Sequence, residues 1–107
     1  MHHIGYLEET VLLLVMLMSG DAYAFAVSLE YEKQTGKRIS ISAIHTVLTR
    51  LEKKGMVSSS MGGATEERGG RRKRIFNVTA YGRQTIEEVK ANRLRLWQQI
   101  PGFDVGS

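Results

Sequence analysis

The chain has 107 residues, no cysteine and a net charge of +4, with 42% hydrophobic and 24% charged residues. This composition is that of one folded domain with a modest core, and it excludes a disordered chain, a disulfide framework and a thiolate metal site. The longest apolar run, residues 11–18, is far shorter than the roughly 18–20 residues that span a bilayer. Because Glu8 and Glu9 before it are also wrong for a signal peptide, we expect a cytoplasmic protein without a membrane segment.

The positive charge is concentrated in one part of the chain. Residues 37–74 contain ten lysines and arginines against three glutamates, a net charge of +7, whereas residues 1–36 contain one lysine and five acidic residues, a net charge of −4. This asymmetry is typical of a protein that binds a polyanion. The paired His2 and His3 are too few to form a metal site. A terminal tail, native or appended, is the better explanation, and we expect neither a metal nor a cofactor.

The first helix is predicted from about residue 5 to residue 18, and its second half is apolar on every side. A helix without a polar face has to be covered all round, so we expect it to contact its own core and a second subunit, with Leu13 at that interface. Asp21 is the predicted cap of a second helix over residues 22–34, which Gly36 ends. Its predicted inward face comprises Ala22, Phe25, Ala26 and Leu29. Residues 37–39 then leave room only for a very short strand.

The third helix is the best-marked element of the sequence. Ser40 is a good N-terminal cap, and Gly55 follows two lysines where a left-handed C-terminal glycine belongs. The spacing of an apolar stripe predicts its buried residues, which are Ile44, Val47, Leu48 and Leu51. Its open face has donors and acceptors but no acid, and its members are Ser42, His45, Thr46, Thr49, Arg50 and Lys53. Such a face fits a DNA major groove, although an ordinary surface helix is the alternative for this stretch alone.

After Gly55 the sequence period changes to that of strands, over residues 56–61 and 71–78, around a glycine-rich tip. The tip lacks the Gly-Lys-Ser/Thr ending of a phosphate-binding loop, and a strand follows it where that loop needs a helix. A cluster of five cations lies on the tip and the returning strand: Arg68, Arg71, Arg72, Lys73 and Arg74. These cations predict contacts with phosphates, while a strand edge protected by charge is the alternative.

Thr79 is the predicted cap of a fourth helix over residues 80–99, which Pro101 and Gly102 end. At 1.5 Å per residue this helix is about 30 Å long, which is more than the remaining core can cover. An apolar stripe runs along it through Ile86, Val89, Leu96, Trp97 and Ile100, and a stripe that passes the edge of a domain needs a partner. We therefore expect a nucleic-acid-binding unit over residues 1–78 and a dimerisation helix with a short tail over residues 79–107.

Four segments together resemble the PadR family of bacterial transcriptional regulators: LEETVLLLVML, Asp21-Ala22-Tyr23, AIHTVLTRLEKKGMV and GGRRKRIFNVTAYGR. The resemblance implies a mainly α (α+β) fold, in which three helices and a two-stranded wing form a winged helix-turn-helix before a long dimerisation helix. It also implies a homodimeric repressor of the short class on a near-palindromic operator in double-stranded DNA. His45 stands where the family usually has a tyrosine, and Ile75-Phe76 replaces an aromatic pair common at the end of the wing.

Some members of this family respond to small aromatic compounds, and this implies that Trp97 and its symmetry mate flank such a ligand. The sequence itself favours the simpler interpretation that Trp97, the only tryptophan, is an apolar anchor of the dimer, because aromatic residues are enriched at the buried centres of interfaces. Three other functions fit the sequence less well than DNA binding. A winged helix used only for protein interaction conflicts with the +7 segment. An enzymatic function is not favoured, because the sequence has no recognisable acid or nucleophile arranged beside His45. Binding of single-stranded RNA is not favoured either, because the sequence offers no aromatic stacking platform: Phe76 and Tyr81 fit the core better.

Overall fold

A computed structural model of the protein describes residues 4–62 and 72–103. In chain order its elements are α1 (Tyr6–Leu17), α2 (Ala24–Thr35), α3 (Ile41–Lys53), β1 (Val57–Met61), β2 (Arg74–Val78) and α4 (Ala80–Gln98). The strands pair antiparallel, with Val57 opposite Val78 and Ser59 opposite Phe76. Four helices and a two-stranded sheet confirm the predicted mainly α winged-helix class, and the β1–β2 hairpin is called the wing below.

The core lies where α1, α2 and α3 meet the base of the wing. Its largest fully buried side chains come from all of these elements and include Phe76, Leu12, Ile44, Leu48, Leu51, Met56 and Val27. All four predicted inward residues of α3 are buried, because they recur on one side of the helix at three- and four-residue spacing. None of the helices within residues 4–62 and 72–103 is long and apolar enough to cross a membrane.

α1 is covered on only part of its surface by this core. Val11, Leu12, Leu14 and Val15 are buried, whereas Tyr6, Leu13 and Leu17 are exposed large apolar side chains. These three residues lie on one side of the helix, because their spacing of seven and four residues corresponds to two turns and one turn. The chain therefore leaves an uncovered apolar stripe on α1, as its sequence predicted.

The start of α2 differs from the prediction. Asp21 does not cap the helix, which begins after Tyr23 without a side-chain cap. The Asp21 N–H instead donates to the Met18 carbonyl at 2.8 Å, in a turn that follows α1. Ala22 is buried as predicted, but it lies in the link before the helix, where its carbonyl accepts the Phe76 N–H at 2.8 Å. The link therefore contacts β2 along its backbone, and the helix starts two residues later than expected.

This later start goes with a different inward face of α2. Val27 and Ser28 are the buried residues of the helix, whereas Phe25 is 49% and Leu29 is 54% exposed. The short strand predicted at residues 37–39 is also absent. The Lys37 N–H donates to the Thr35 hydroxyl at 3.2 Å, and Arg38 lies 3.5 Å from the Glu32 carboxylate. This segment is therefore bonded to the end of α2 and not to another strand.

Hydroxyl caps start both α3 and α4, as predicted. Ser40 accepts the Ala43 N–H at 3.0 Å, and Thr79 accepts the Gly82 N–H at 3.0 Å. The Thr79 hydroxyl also donates to the Gly55 carbonyl at 2.7 Å, so the first turn of α4 lies against the turn that ends α3. Gly55 adopts the predicted left-handed conformation with φ of +79°. The start of α4 is thus fixed against the turn that ends α3.

Candidate nucleic-acid interface

The open face of α3 presents its polar side chains together. His45, Thr46, Thr49, Arg50 and Lys53 line one shallow groove of about 440 Å³. All of them are exposed except Thr49, which is half-buried. Ser42 is exposed as well but does not line this groove, and its carbonyl accepts the Thr46 hydroxyl at 2.9 Å. The structure therefore brings together five of the six residues that the sequence predicted for this face.

The predicted wing cations fall into three groups. Arg68 and Arg71 lie outside the described residues. Arg72 is exposed at the start of the returning segment. Lys73 and Arg74 are also exposed, but both have partners within the chain. The Lys73 ammonium lies 4.2 Å from the centre of the Tyr23 ring, and Arg74 Nη1 donates to the Ser59 hydroxyl at 2.9 Å.

Sequence reasoning missed the interactions that hold α3 and the wing in place. The Ser59 hydroxyl donates to Glu52 Oε2 at 2.6 Å, which links β1 to α3. Glu52 is thus an acid near the open face of α3, and its carboxylate is engaged with the wing. The spacing of polar residues in the sequence gives no signal for such contacts, because they depend on how the hairpin folds back over the helix.

A partly buried ion pair fixes the end of α3 on α1. Glu8 is only 6% exposed, and both of its carboxylate oxygens accept from the Lys54 ammonium, at 2.8 and 3.0 Å. Burial acts to raise the pKa of Glu8, but hydrogen bonds from Lys54 and the Gly5 N–H, together with the charges of Lys54 and Arg50, lower that pKa overall. The carboxylate is therefore ionised at neutral pH and anchors the C-terminal end of the candidate recognition helix.

A second candidate site lies between α1 and α4. A groove of about 520 Å³ is lined on its apolar side by Leu13, Met16, Ile86, Leu94 and Trp97. The ion pair between Arg93 and Glu9, at 3.0 Å, joins the two helices at this groove. Leu13 and Trp97, both expected at the subunit interface, thus line one groove within the same chain.

The other three residues predicted for this interface, two on α4 and one just after it, are placed differently. Val89, Leu96 and Ile100 do not line the groove. Val89 is half-buried, while Leu96 is 62% and Ile100 is 43% exposed. At the end of α4 the rings of Trp97 and Phe103 pack edge to face, with centres 4.8 Å apart. Within the described ranges, which leave out His2 and His3, no three potential ligand side chains cluster to hold a metal ion.

Comparison with solved structures shows which proteins share this fold. A PadR-like transcriptional regulator from Bacillus cereus superposes with a TM-score of 0.72 at 19% identity, covering 94% of this chain and 93% of its own. A transcriptional regulator from Streptococcus gives a TM-score of 0.69 at 19% identity, covering 90% and 89% of the two chains. One from Clostridium thermocellum gives 0.67 at 24% identity, covering 95% and 92%.

No curated protein matches the sequence. The family model of the PadR-like transcriptional regulators, in contrast, matches residues 13–88, which is well over half of the chain. The match runs from the middle of α1 through α3 and the wing into α4. It confirms the resemblance inferred from the sequence motifs. The chain therefore belongs to the PadR-like family of transcriptional regulators.

Proposed function

We propose that this regulator binds double-stranded DNA as a homodimer and represses transcription from a near-palindromic operator. The observation that carries the proposal is the open face of α3, where His45, Thr46, Thr49, Arg50 and Lys53 line one groove next to the basic wing. A helix with short donors and acceptors on its exposed face can enter a major groove, where base edges present a distinct pattern for each base pair.

The two parts of the interface have different roles in this proposal. Ser42, His45, Thr46 and Thr49 lie on the exposed or half-exposed side of α3 and reach base edges. The longer cations of α3 and the wing contact phosphates: Arg50, Lys53, Arg68, Arg71, Arg72, Lys73 and Arg74. Phosphate contacts hold the helix in its register on the duplex, and base contacts supply the sequence preference.

A second copy of the chain is the proposed partner of α1 and α4. Every residue from 90 to 103 is exposed, so the second half of α4 projects from the core. The projecting half of α4 and the turn after it carry exposed large apolar side chains at Leu94, Leu96, Trp97, Ile100 and Phe103. Pairing two such helices with the uncovered stripe of α1 buries apolar surface that one chain leaves in water. In this arrangement residues 1–78 read DNA and residues 79–107 hold the dimer.

We also propose that a flat aromatic ligand bound in the α1–α4 groove relieves repression. The groove has about 520 Å³, which is within the usual range for a small-molecule site, and Trp97 is 44% exposed at its edge. Titration of flat aromatic compounds is expected to quench the fluorescence of Trp97 at micromolar concentration. If Trp97 is only a dimer anchor, no compound will quench, and Trp97→Ala will give monomers.

Selection of bound fragments from the host genome, followed by footprinting, tests the main proposal. The expected result is a protected site with two related half-sites whose centres lie about one DNA turn, roughly 34 Å, apart. Capture of no DNA by a correctly folded dimer would contradict the proposal and favour a winged helix used for protein interaction. An enzymatic function is not expected, because the family consists of transcriptional regulators.

A further inference from the structure

Three side chains form a continuous polar bridge between α3 and the two strands of the wing. Arg74 on β2 donates to the Ser59 hydroxyl on β1 at 2.9 Å, and that hydroxyl donates to Glu52 on α3 at 2.6 Å. Ser59 therefore uses its single proton for Glu52 and one of its lone pairs for Arg74. Glu52, Ser59 and Arg74 together form this polar bridge.

The register of the wing explains where this bridge lies. Ser59 is opposite Phe76, and Met61 is opposite Arg74. Because side chains alternate along a strand, Ser59 shares a face with Val57, and Arg74 shares a face with Phe76. Val57 and Phe76 are buried in the core, whereas Arg74 is exposed. The polar bridge thus begins where the apolar contact between the wing and α3 ends.

The bond within the polar bridge occupies only some of the N–H donors of Arg74. A guanidinium has five N–H donors in a planar fork, and the bond to Ser59 uses Nη1. A fixed guanidinium loses less conformational freedom when it meets a phosphate than a free one does. The bridge therefore suits an arginine that has to hold one position beside α3.

We propose that Ser59, itself held by Glu52, is a positioning residue that aims Arg74 at the DNA backbone beside the recognition helix. This inference rests on the proposed function, because it states how one of the proposed phosphate contacts of the wing, that of Arg74, is positioned. The inference also explains why an acidic residue, Glu52, lies near the open face of α3, which is proposed to meet DNA. On charge alone Glu52 weakens DNA binding, whereas as an anchor of Ser59 it strengthens binding by pre-organising Arg74.

A matched pair of substitutions separates the hydroxyl from the shape of the side chain. Threonine and valine are nearly isosteric and both favour strands, but only threonine keeps the hydroxyl. The probe is a 30-base-pair duplex recovered by selection with the wild-type protein. Ser59→Thr is expected to bind it as the wild type does, and Ser59→Val is expected to bind it roughly three- to tenfold more weakly, since a bond to a charged group is lost.

Two further comparisons tie this effect to the polar bridge. In an Arg74→Ala background the threonine and valine variants are expected to bind equally, because no guanidinium remains to be positioned. Glu52→Ala is expected to weaken binding by a similar factor, although removal of a negative charge by itself would tighten it. The same threonine and valine pair at Ser60, on the opposite face of β1, is the control for strand propensity, and thermal unfolding verifies that each variant is folded.

The outcomes distinguish this inference from the proposed function. Equal binding by Ser59→Thr and Ser59→Val, or tighter binding by Glu52→Ala, would overturn the positioning role while DNA binding stands. A difference between threonine and valine that persists in the Arg74→Ala background would also overturn it, since Ser59 would then act by another route. Failure of the wild-type protein to bind any duplex would overturn the proposed function and this inference together.

Discussion

Glu8 shows how the fold tolerates an acid in its interior. Its carboxylate accepts from Lys54 and from the Gly5 N–H, so both of its oxygens are satisfied where little water reaches them. Lys54 follows α3 directly, and its ammonium brings a positive charge to the C-terminal end of that helix, where the helix dipole favours it. The pair thus joins the first turn of α1 to the residue that follows α3.

Replacement of Glu8 by glutamine is expected to lower the free energy of unfolding at pH 7 by about 1–2 kcal/mol, because the hydrogen-bonded charge is lost. The pKa of Glu8 is below its ordinary value of 4.5 in the folded protein. Its contribution is therefore complete above that value and is lost as the pH falls through the folded pKa.

Urea unfolding between pH 7 and pH 3 measures this effect. The wild-type and Glu8→Gln curves are expected to converge in acid, with Glu88→Gln as the control for the same change on an exposed residue. A difference between wild type and Glu8→Gln that stays constant through pH 3 would show that the charge of Glu8 does not stabilise the fold.

Alanine at His45, Thr46 or Thr49 is expected to affect selected and random DNA differently. If these side chains reach base edges, each substitution costs roughly 1–3 kcal/mol on the selected duplex and little on a random one. Fluorescence anisotropy with two duplexes of equal length provides the measurement. Equal losses on both duplexes would mean that the three residues only position the helix on the backbone.

The residues on the open face of α3 were predictable from the sequence, whereas the contacts that hold α3 in place were not. A helical period identifies which side of α3 is open from its own sequence. The Glu8–Lys54 pair joins residues 46 positions apart, and Lys73 meets Tyr23 only after the wing has folded back. Such pairs follow from the packing of distant segments, and a single sequence does not encode them in any local pattern.

At the scale of elements, α3 was predictable because its cap, its stripe and its terminal glycine all agree. The start of α2 was not, because Asp21 is a good capping residue by type, yet a turn with Met18 engages its backbone N–H. The bond between Ala22 and Phe76 keeps the link extended for two more residues. Tertiary contact with β2 thus overrides local capping preference at this position.

The start of α4 provides a sharp test of close packing. A Cβ placed on Gly82 would overlap the Met56 carbonyl oxygen. Gly82→Ala is therefore expected to destabilise the fold by about 1–3 kcal/mol, even though alanine is favoured over glycine by roughly 1 kcal/mol inside a helix. Chemical denaturation measures the change, with Ala91→Gly on the exposed part of α4 as the control for helix propensity. A more stable Gly82→Ala variant would rule out this close approach.

The wing is expected to contribute binding energy without sequence preference. Arg72→Ala removes an exposed cation from the returning segment, so it is expected to weaken binding to selected and random duplexes alike. The slope of log affinity against log salt concentration is expected to fall by about one unit for the lost phosphate contact. Arg95→Ala makes the same charge change on α4 and is expected to leave the slope unchanged. An unchanged slope for Arg72→Ala would exclude Arg72 from the phosphate contacts.

For the molecule as a whole, the described chain measures 58 × 29 × 24 Å, which is long for its size. The length of α4 and its apolar stripe predicted a helix that outreaches its own core, and the structure has that feature. The sequence did not predict which of the exposed apolar residues on α4 line the groove against α1 and which lie outside it. Leu94 and Trp97 line the groove against α1, whereas Leu96 lies outside it, because this division depends on the angle at which α4 crosses α1.

Leu96→Glu is expected to convert the proposed dimer to a monomer. A carboxylate at this position would lie in the apolar surface that two copies bury, where a charge without a partner is costly. Light scattering at low micromolar concentration is expected to give about twice the chain mass of 12.0 kDa for the wild type and that mass for the variant. Ala91→Glu adds the same charge on another side of α4 and is expected to remain dimeric. A wild-type particle of 12.0 kDa would refute the dimer.

The projection of α4 beyond its core also makes the protein adjustable by engineering. Seven residues inserted after Lys90 advance a helix by about 10.5 Å and return its apolar stripe to within about 20° of its starting direction. An insertion of five residues leaves the stripe about 140° out of phase. In the proposed dimer the first change alters the reach between the two DNA-reading halves and preserves their pairing, while the second separates them. In the proposed dimer, the length of α4 is therefore expected to set the distance between the two half-sites of the operator.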